Sequence, residues 1–104
     1  MIQTILLILR DAQTANRRVV IMVPESAYEE ALRALGCAYP DNTGRSALMP
    51  NGHLVSVMTR DTPVSEAGEK FVMYLSGWGK ATPKDERLML KWTEKAQSVV
   101  NEIS

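Results

Sequence analysis

Val19-Val20-Ile21-Met22-Val23, closed by Pro24, is the stretch that decides the fold. Five consecutive apolar residues, mostly β-branched and without polar alternation, describe a strand covered on both faces. Such a strand lies inside a sheet that carries helices on either side. Upstream, residues 2–15 predict a helix: Ile5, Leu6, Leu9 and Ala12 share one face, Ile2 extends it, and Leu7 and Ile8 widen the apolar surface. Asn16 is its expected end, because asparagine tolerates the left-handed position that follows a helix. Downstream, Ser26-Ala27-Tyr28-Glu29 has the spacing of a capping box. Ala31, Leu32 and Leu35 then continue one helical face, and Gly36 is the expected stop.

Further along, Pro40, Asp41, Asn42 and Gly44 mark residues 37–44 as a loop. Asn51-Gly52 between the apolar stretches of residues 46–59 is a strong hairpin signal. Pro50 lacks an amide donor, so the first arm is expected to be short or at an edge. Residues 60–69 connect to Phe71-Val72-Met73-Tyr74-Leu75, an aromatic and β-branched run closed by Gly77 and Gly79. A helix over 70–76 is the alternative, since Val64, Ala67, Phe71, Tyr74 and Trp78 are also roughly helically spaced; the composition of the run favours a strand. In the last helix Thr82 is the cap, Pro83 takes the first position and Asp85 complements the positive end. Leu88, Trp92, Ala96, Val99 and Ile103 form its apolar stripe. The order helix, strand, helix, hairpin, strand, helix predicts an α/β fold: one domain over residues 1–104, with a small mixed, partly parallel sheet and helices on both faces.

Composition bounds the function. The 12 basic and 12 acidic residues cancel, so the overall positive charge of a typical nucleic-acid binder is missing. A single cysteine, Cys37, excludes an internal disulfide and points to a reducing, cytoplasmic setting. One cysteine and one histidine, His53, make a zinc site of the usual ligand types implausible, and no cofactor motif is present. The apolar run of residues 5–9 is too short for a membrane span and has neither the basic start nor the small-residue end of a signal peptide. No membrane partner is expected. The six methionines fall mostly in strand patterns and read as core filling.

Arg17-Arg18-Val19-Val20-Ile21-Met22-Val23-Pro24-Glu25-Ser26, followed by a helix, resembles the strand of helicase and phage-terminase ATPase lobes that ends in a Val-Pro-Thr/Ser turn. The Pro50-Asn51-Gly52 hairpin is similar to a terminase turn, and Thr59-Arg60-Asp61-Thr62 to a later strand-end motif of the same lobes. Residues 71–77 then fall where the family's acidic magnesium-binding strand lies. The departures are specific. No Gly-x-x-x-x-Gly-Lys-Ser/Thr loop occurs, so there is no cradle for phosphates. Ser76, Gly77 and Trp78 follow the strand that should end in acidic residues, and Glu25 stands where the family favours a hydroxyl. The resemblance therefore implies a degenerate first lobe without ATPase activity, of phage or mobile-element type.

Two features stand out as candidate binding elements. Gly77-Trp78-Gly79-Lys80 places a large aromatic between two glycines, as at interaction hot spots; the plain alternative is a turn with Trp78 packed over the core edge. Lys84, Arg87, Lys91 and Lys95 line one side of the last helix, with Lys80 just before it; the plain alternative is the solvated flank of an amphipathic helix. His53 and Cys37, with Asp41 or Asp61 to orient the histidine, are a conceivable nucleophile-base set, but no spacing supports it. The expectation is a non-catalytic protein-interaction domain, an inhibitor or adaptor binding a larger protein through Trp78, Lys80, Lys84, Arg87, Lys91 and Lys95. The alternative is a nucleic-acid-binding accessory domain, in which Arg17, Arg18, Arg45 and Arg60 join the basic helix on one face. The sequence leaves homo-oligomerisation and strand order open.

Overall fold

The structure, a computed structural model, describes residues 2–68, 70–79 and 82–100. Five strands form one mixed sheet in the order β2-β3-β1-β4-β5. β1 (Val19–Met22) is its centre, with β3 (Leu54–Met58) and β4 (Val72–Leu75) parallel to it on either side. β2 (Ser46–Leu48) runs antiparallel at one edge, and β5 (Ser98–Val100) runs parallel to β4 at the other. Helices α1 (Ile2–Ala12), α2 (Tyr28–Ala38) and α3 (Pro83–Lys95) cover the two faces. The fold is the α/β architecture expected from the order of elements.

Alternation along β1 explains the layering. Val19, Ile21 and Val23 point to one face and join Ile5, Ile8 and Leu9 of α1 with Ala31, Ala34 and Leu35 of α2. Val20 and Met22 point to the other face and join Met58, Phe71, Met73, Met89 and Trp92. All of β1 is inaccessible to solvent, which is what its unbroken apolar run requires. Each such side chain contributes roughly 1.5–3 kcal/mol when fully buried. Met22, Met49, Met58, Met73 and Met89 are all core residues. Phe71 and Trp92 meet edge to face, their ring centroids 5.9 Å apart at 77°.

Val72–Leu75 is a strand, not a helix, and the hairpin forms as expected with β2 short and at the edge. Asn51 does more than turn the chain. Its side-chain oxygen accepts from the His53 amide at 2.9 Å, and its amide nitrogen donates to the Gln13 carbonyl at 3.0 Å, tying the hairpin to the end of the first helix. Asn16 adopts the left-handed conformation expected of it, after a 3-10 turn over Gln13–Ala15.

Four local expectations fail. The first helix is α-helical only to Ala12 and tightens into that 3-10 turn. Ser26 does not cap α2: Glu25–Ala27 is a 3-10 turn started by Pro24, so Ser26 lies inside it and makes no capping bond. Gly36 does not stop α2, which continues to Ala38. Pro40 is the real terminator, because the residue before a proline is driven from helical angles, and Tyr39 sits at φ −133°, ψ 84°. The largest departure is at the other end. α3 stops at Lys95, Ala96 becomes extended, and the Gln97 amide donates to the Phe71 carbonyl at 2.9 Å. Ser98–Val100 then pairs with β4 as a fifth strand, so Val99 is not on the helix; Ile103 lies outside the described residues. The open edge of β4 and two adjacent valines outweigh the helical spacing of the apolar stripe.

Candidate functional site

β1 and β4 are neighbours whose onward connections leave on opposite faces, β1 into α2 and β4 into α3. The two loops part above the sheet, and a crevice opens at the carboxyl ends of these strands, the usual ligand position in open α/β sheets. Here the crevice is a cleft of about 390 Å³ lined by Pro24, Glu25 and Ser26 after β1, Arg60 after β3, Gly77–Gly79 after β4 and Asp85 of α3. A second cleft, of about 530 Å³, shares Glu25 and Ser26 and adds Tyr28, Glu29, Thr59 and Thr62.

Trp78 forms part of the first wall. Its indole Nε1–H donates to the Met22 carbonyl at 3.0 Å, and the ring packs against the Met22–Met58–Met73 core while remaining partly exposed. The same carbonyl accepts from the Ser76 amide at 3.1 Å. Trp78 therefore packs over the core edge, and its exposed part borders the crevice. Asp85 forms the opposite side. It completes a capping box, accepting from the Thr82 amide at 2.9 Å while its own amide donates to Thr82 Oγ1 at 3.1 Å. Its other carboxylate oxygen pairs with Arg60, with both side chains largely buried. Arg60 and Asp85 thus tie the end of β3 to the start of α3.

Lys84, Arg87, Lys91 and Lys95 are all exposed along α3, and none forms an ion pair among the described residues. The row begins one residue from Asp85 at the crevice. Lys91 also borders a cleft of about 390 Å³ between α3 and residues 60–65, which includes Leu88 and Trp92. Trp78 and Asp85 thus line one cleft, and the α3 row starts at Lys84, next to Asp85 in the chain; Lys80 lies outside the described residues.

Arg17, Arg18, Arg45 and Arg60 do not extend the row as free charges. Arg17 donates to the Gln97 side chain at 2.5 Å. Arg18 holds the Ala67 and Glu66 carbonyls at 2.7 and 3.2 Å, and Arg45 pairs with the Glu66 carboxylate. Burial, with the charge of Arg45 beside it, pushes Arg18 below the usual arginine value. The Arg18 contacts fasten the β3-to-β4 crossover to the start of β1, Arg45 ties it to the start of β2, and Arg17 reaches the residue before β5. Cys37 is exposed near the end of α2, whereas His53 sits in the hairpin loop, and no hydrogen bond joins them. Among the described residues, no group of three or more histidine, cysteine or acidic side chains is placed to hold a metal ion, and no helix is long and apolar enough to cross a membrane.

The Trp78 loop and the basic row were legible in the sequence. The Arg60–Asp85 tie and the partnership of Glu25 with Trp78 across the crevice were not, because both depend on which strands are neighbours. Comparison with known proteins adds no relative: no protein-family model, curated protein or solved structure matches the chain.

Proposed function

We propose that this protein is a non-catalytic interaction domain, an adaptor or inhibitor that docks on an acidic surface of a larger protein. The docking face consists of Trp78, Lys80, Lys84, Arg87, Lys91 and Lys95. The observation that carries the reading is the row of four exposed cations on α3 without ion-pair partners among the described residues, on a helix whose Asp85 shares a cleft with the partly exposed Trp78. Unpaired rim charges steer and orient a partner, and an anchored aromatic supplies contact area at small entropic cost. The nucleic-acid alternative is less favoured. Arg17, Arg18, Arg45 and Arg60, which would have broadened the basic face, are each held by protein groups, leaving a single helical row.

Photo-cross-linking tests the face directly. A photoreactive residue replacing Arg87 on α3 should capture one protein in cells, and the same residue replacing Leu7 on α1 should not. Equal capture from both positions, or capture from Leu7 alone, contradicts the proposed face.

A further inference from the structure

The described lining of the crevice carries a charge opposite to that of the basic row on α3. Its two clefts share Glu25 and Ser26, and together their described lining holds three carboxylates, those of Glu25, Glu29 and Asp85, against the one guanidinium of Arg60. Arg60 and Asp85 cancel each other as an ion pair, and the second oxygen of Asp85 is occupied by the Thr82 amide. Glu25 and Glu29 remain, four residues apart and exposed, with no ion pair among the described residues. Two aromatic rings, Trp78 in one cleft and Tyr28 in the other, share the walls with them.

We propose that this double cleft is a binding site for an organic cation, an alkylammonium or alkylguanidinium group of the size of a lysine or arginine side-chain head. The chemistry is selective in three ways. A cation is attracted to the face of an aromatic ring, tryptophan most strongly, and a carboxylate beside the ring adds to that attraction. An anion would meet Glu25 and Glu29 with Arg60 already paired. A bare metal ion of the calcium or magnesium type requires several oxygen ligands converging on one point, and no such group exists among the described residues. The indole bond to Met22 fixes the Trp78 ring before a ligand arrives, so little ordering cost remains on binding. The site lies where the sheet's connections diverge, and its recognition of a positive group is separate from the attraction of the α3 row for a negative one.

Titration of the ¹⁵N-labelled protein with ethylguanidinium and butylammonium chlorides, at about 0.15 M salt, tests the site. The Trp78 indole N–H and the Glu25 and Ser26 amides report on it. The site predicts saturable shifts of these signals in the roughly millimolar range. Glu25→Gln should weaken the affinity about fivefold or more, as removing a carboxylate from a cation–π site requires, while Glu30→Gln, outside both clefts, should leave it unchanged. The Glu25 side chain is exposed and makes no bond among those described, and its main-chain carbonyl still accepts from the Tyr28 amide in the variant, so the substitution tests the site without threatening the fold. Absence of saturation, equal weakening by Glu25→Gln and Glu30→Gln, or saturable shifts of the same signals with sodium phosphate would each overturn the assignment. The titration uses the isolated protein and small ions, so its outcome is independent of whether a protein docks on α3.

Discussion

The indole of Trp78 donates a hydrogen bond to the main-chain carbonyl of Met22, the last residue of the central strand, at 3.0 Å. This bond fastens the loop after β4 to the strand beside it and fixes the wall of the crevice. Met22 keeps a second donor in the Ser76 amide, so losing the indole does not leave the carbonyl without a partner. Trp78→Phe should therefore cost only about 1 kcal/mol, the net value of one neutral hydrogen bond. In a denaturant titration it should lower the midpoint with an unchanged slope. An unaltered midpoint would mean that the indole bond contributes nothing to the folded state.

Tyr74 offers a pH test of the opposite face. Its phenol is almost completely buried and donates to the Asp11 carboxylate at 2.6 Å. Burial, then the hydrogen bond and negative charge of Asp11, raise its pKa above the ordinary tyrosine value of 10.0. The folded protein thus holds this proton more tightly than the unfolded chain does. The resulting stability is complete below a pH of about 10 and is lost as pH rises towards the raised folded value. Tyr74→Phe should be less stable at neutral pH, by about 1 kcal/mol, and should show a shallower alkaline decline. Parallel alkaline profiles for the two proteins would exclude the Tyr74–Asp11 pair as a source of that decline.

Two glycines should respond with opposite signs. Gly36 lies within α2, and a Cβ there would meet only Asn42 Oδ1, at an ordinary 3.8 Å. Gly36→Ala should stabilise the protein by roughly 0.5–1 kcal/mol, the difference in helix propensity. Gly52 closes the hairpin turn at φ 89°, so Gly52→Ala should destabilise by about 1 kcal/mol although the space around it is open. Thermal melts of the two variants displaced in the same direction would contradict the assignment of Gly36 to the helix interior.

The same contrast shows what the sequence could and could not reveal. Local signals succeeded where one residue's backbone preference acts alone, as in the unbroken run at Val19–Val23, the Asn51-Gly52 turn and the Thr82-Pro83-Asp85 helix start. They failed where a stronger neighbouring signal or a distant partner decides. Gly36 has the spacing of a helix stop, but Pro40 ends the helix. Val99 has the spacing of a helical stripe, but the edge of β4 recruits it into a strand. The site divides in the same way. Trp78 and the α3 cations stand out by residue type, whereas Glu25 and Arg60 gain meaning only once β1 and β4 are known to be neighbours and β3 is seen to end beside α3.

Charge reversal on α3 is the most direct test of the proposed interaction. Lys84, Arg87, Lys91 and Lys95 are exposed and away from both cores, so reversing them should change stability by only about 0.5 kcal/mol each. Wild-type protein and the fourfold glutamate variant would be used as baits in nuclease-treated native lysate, with captured proteins quantified by mass spectrometry. The account predicts one stoichiometric protein on the wild type that is lost from the folded variant. Retention of the same protein by the variant, or the absence of any protein specific to the wild type, would contradict it.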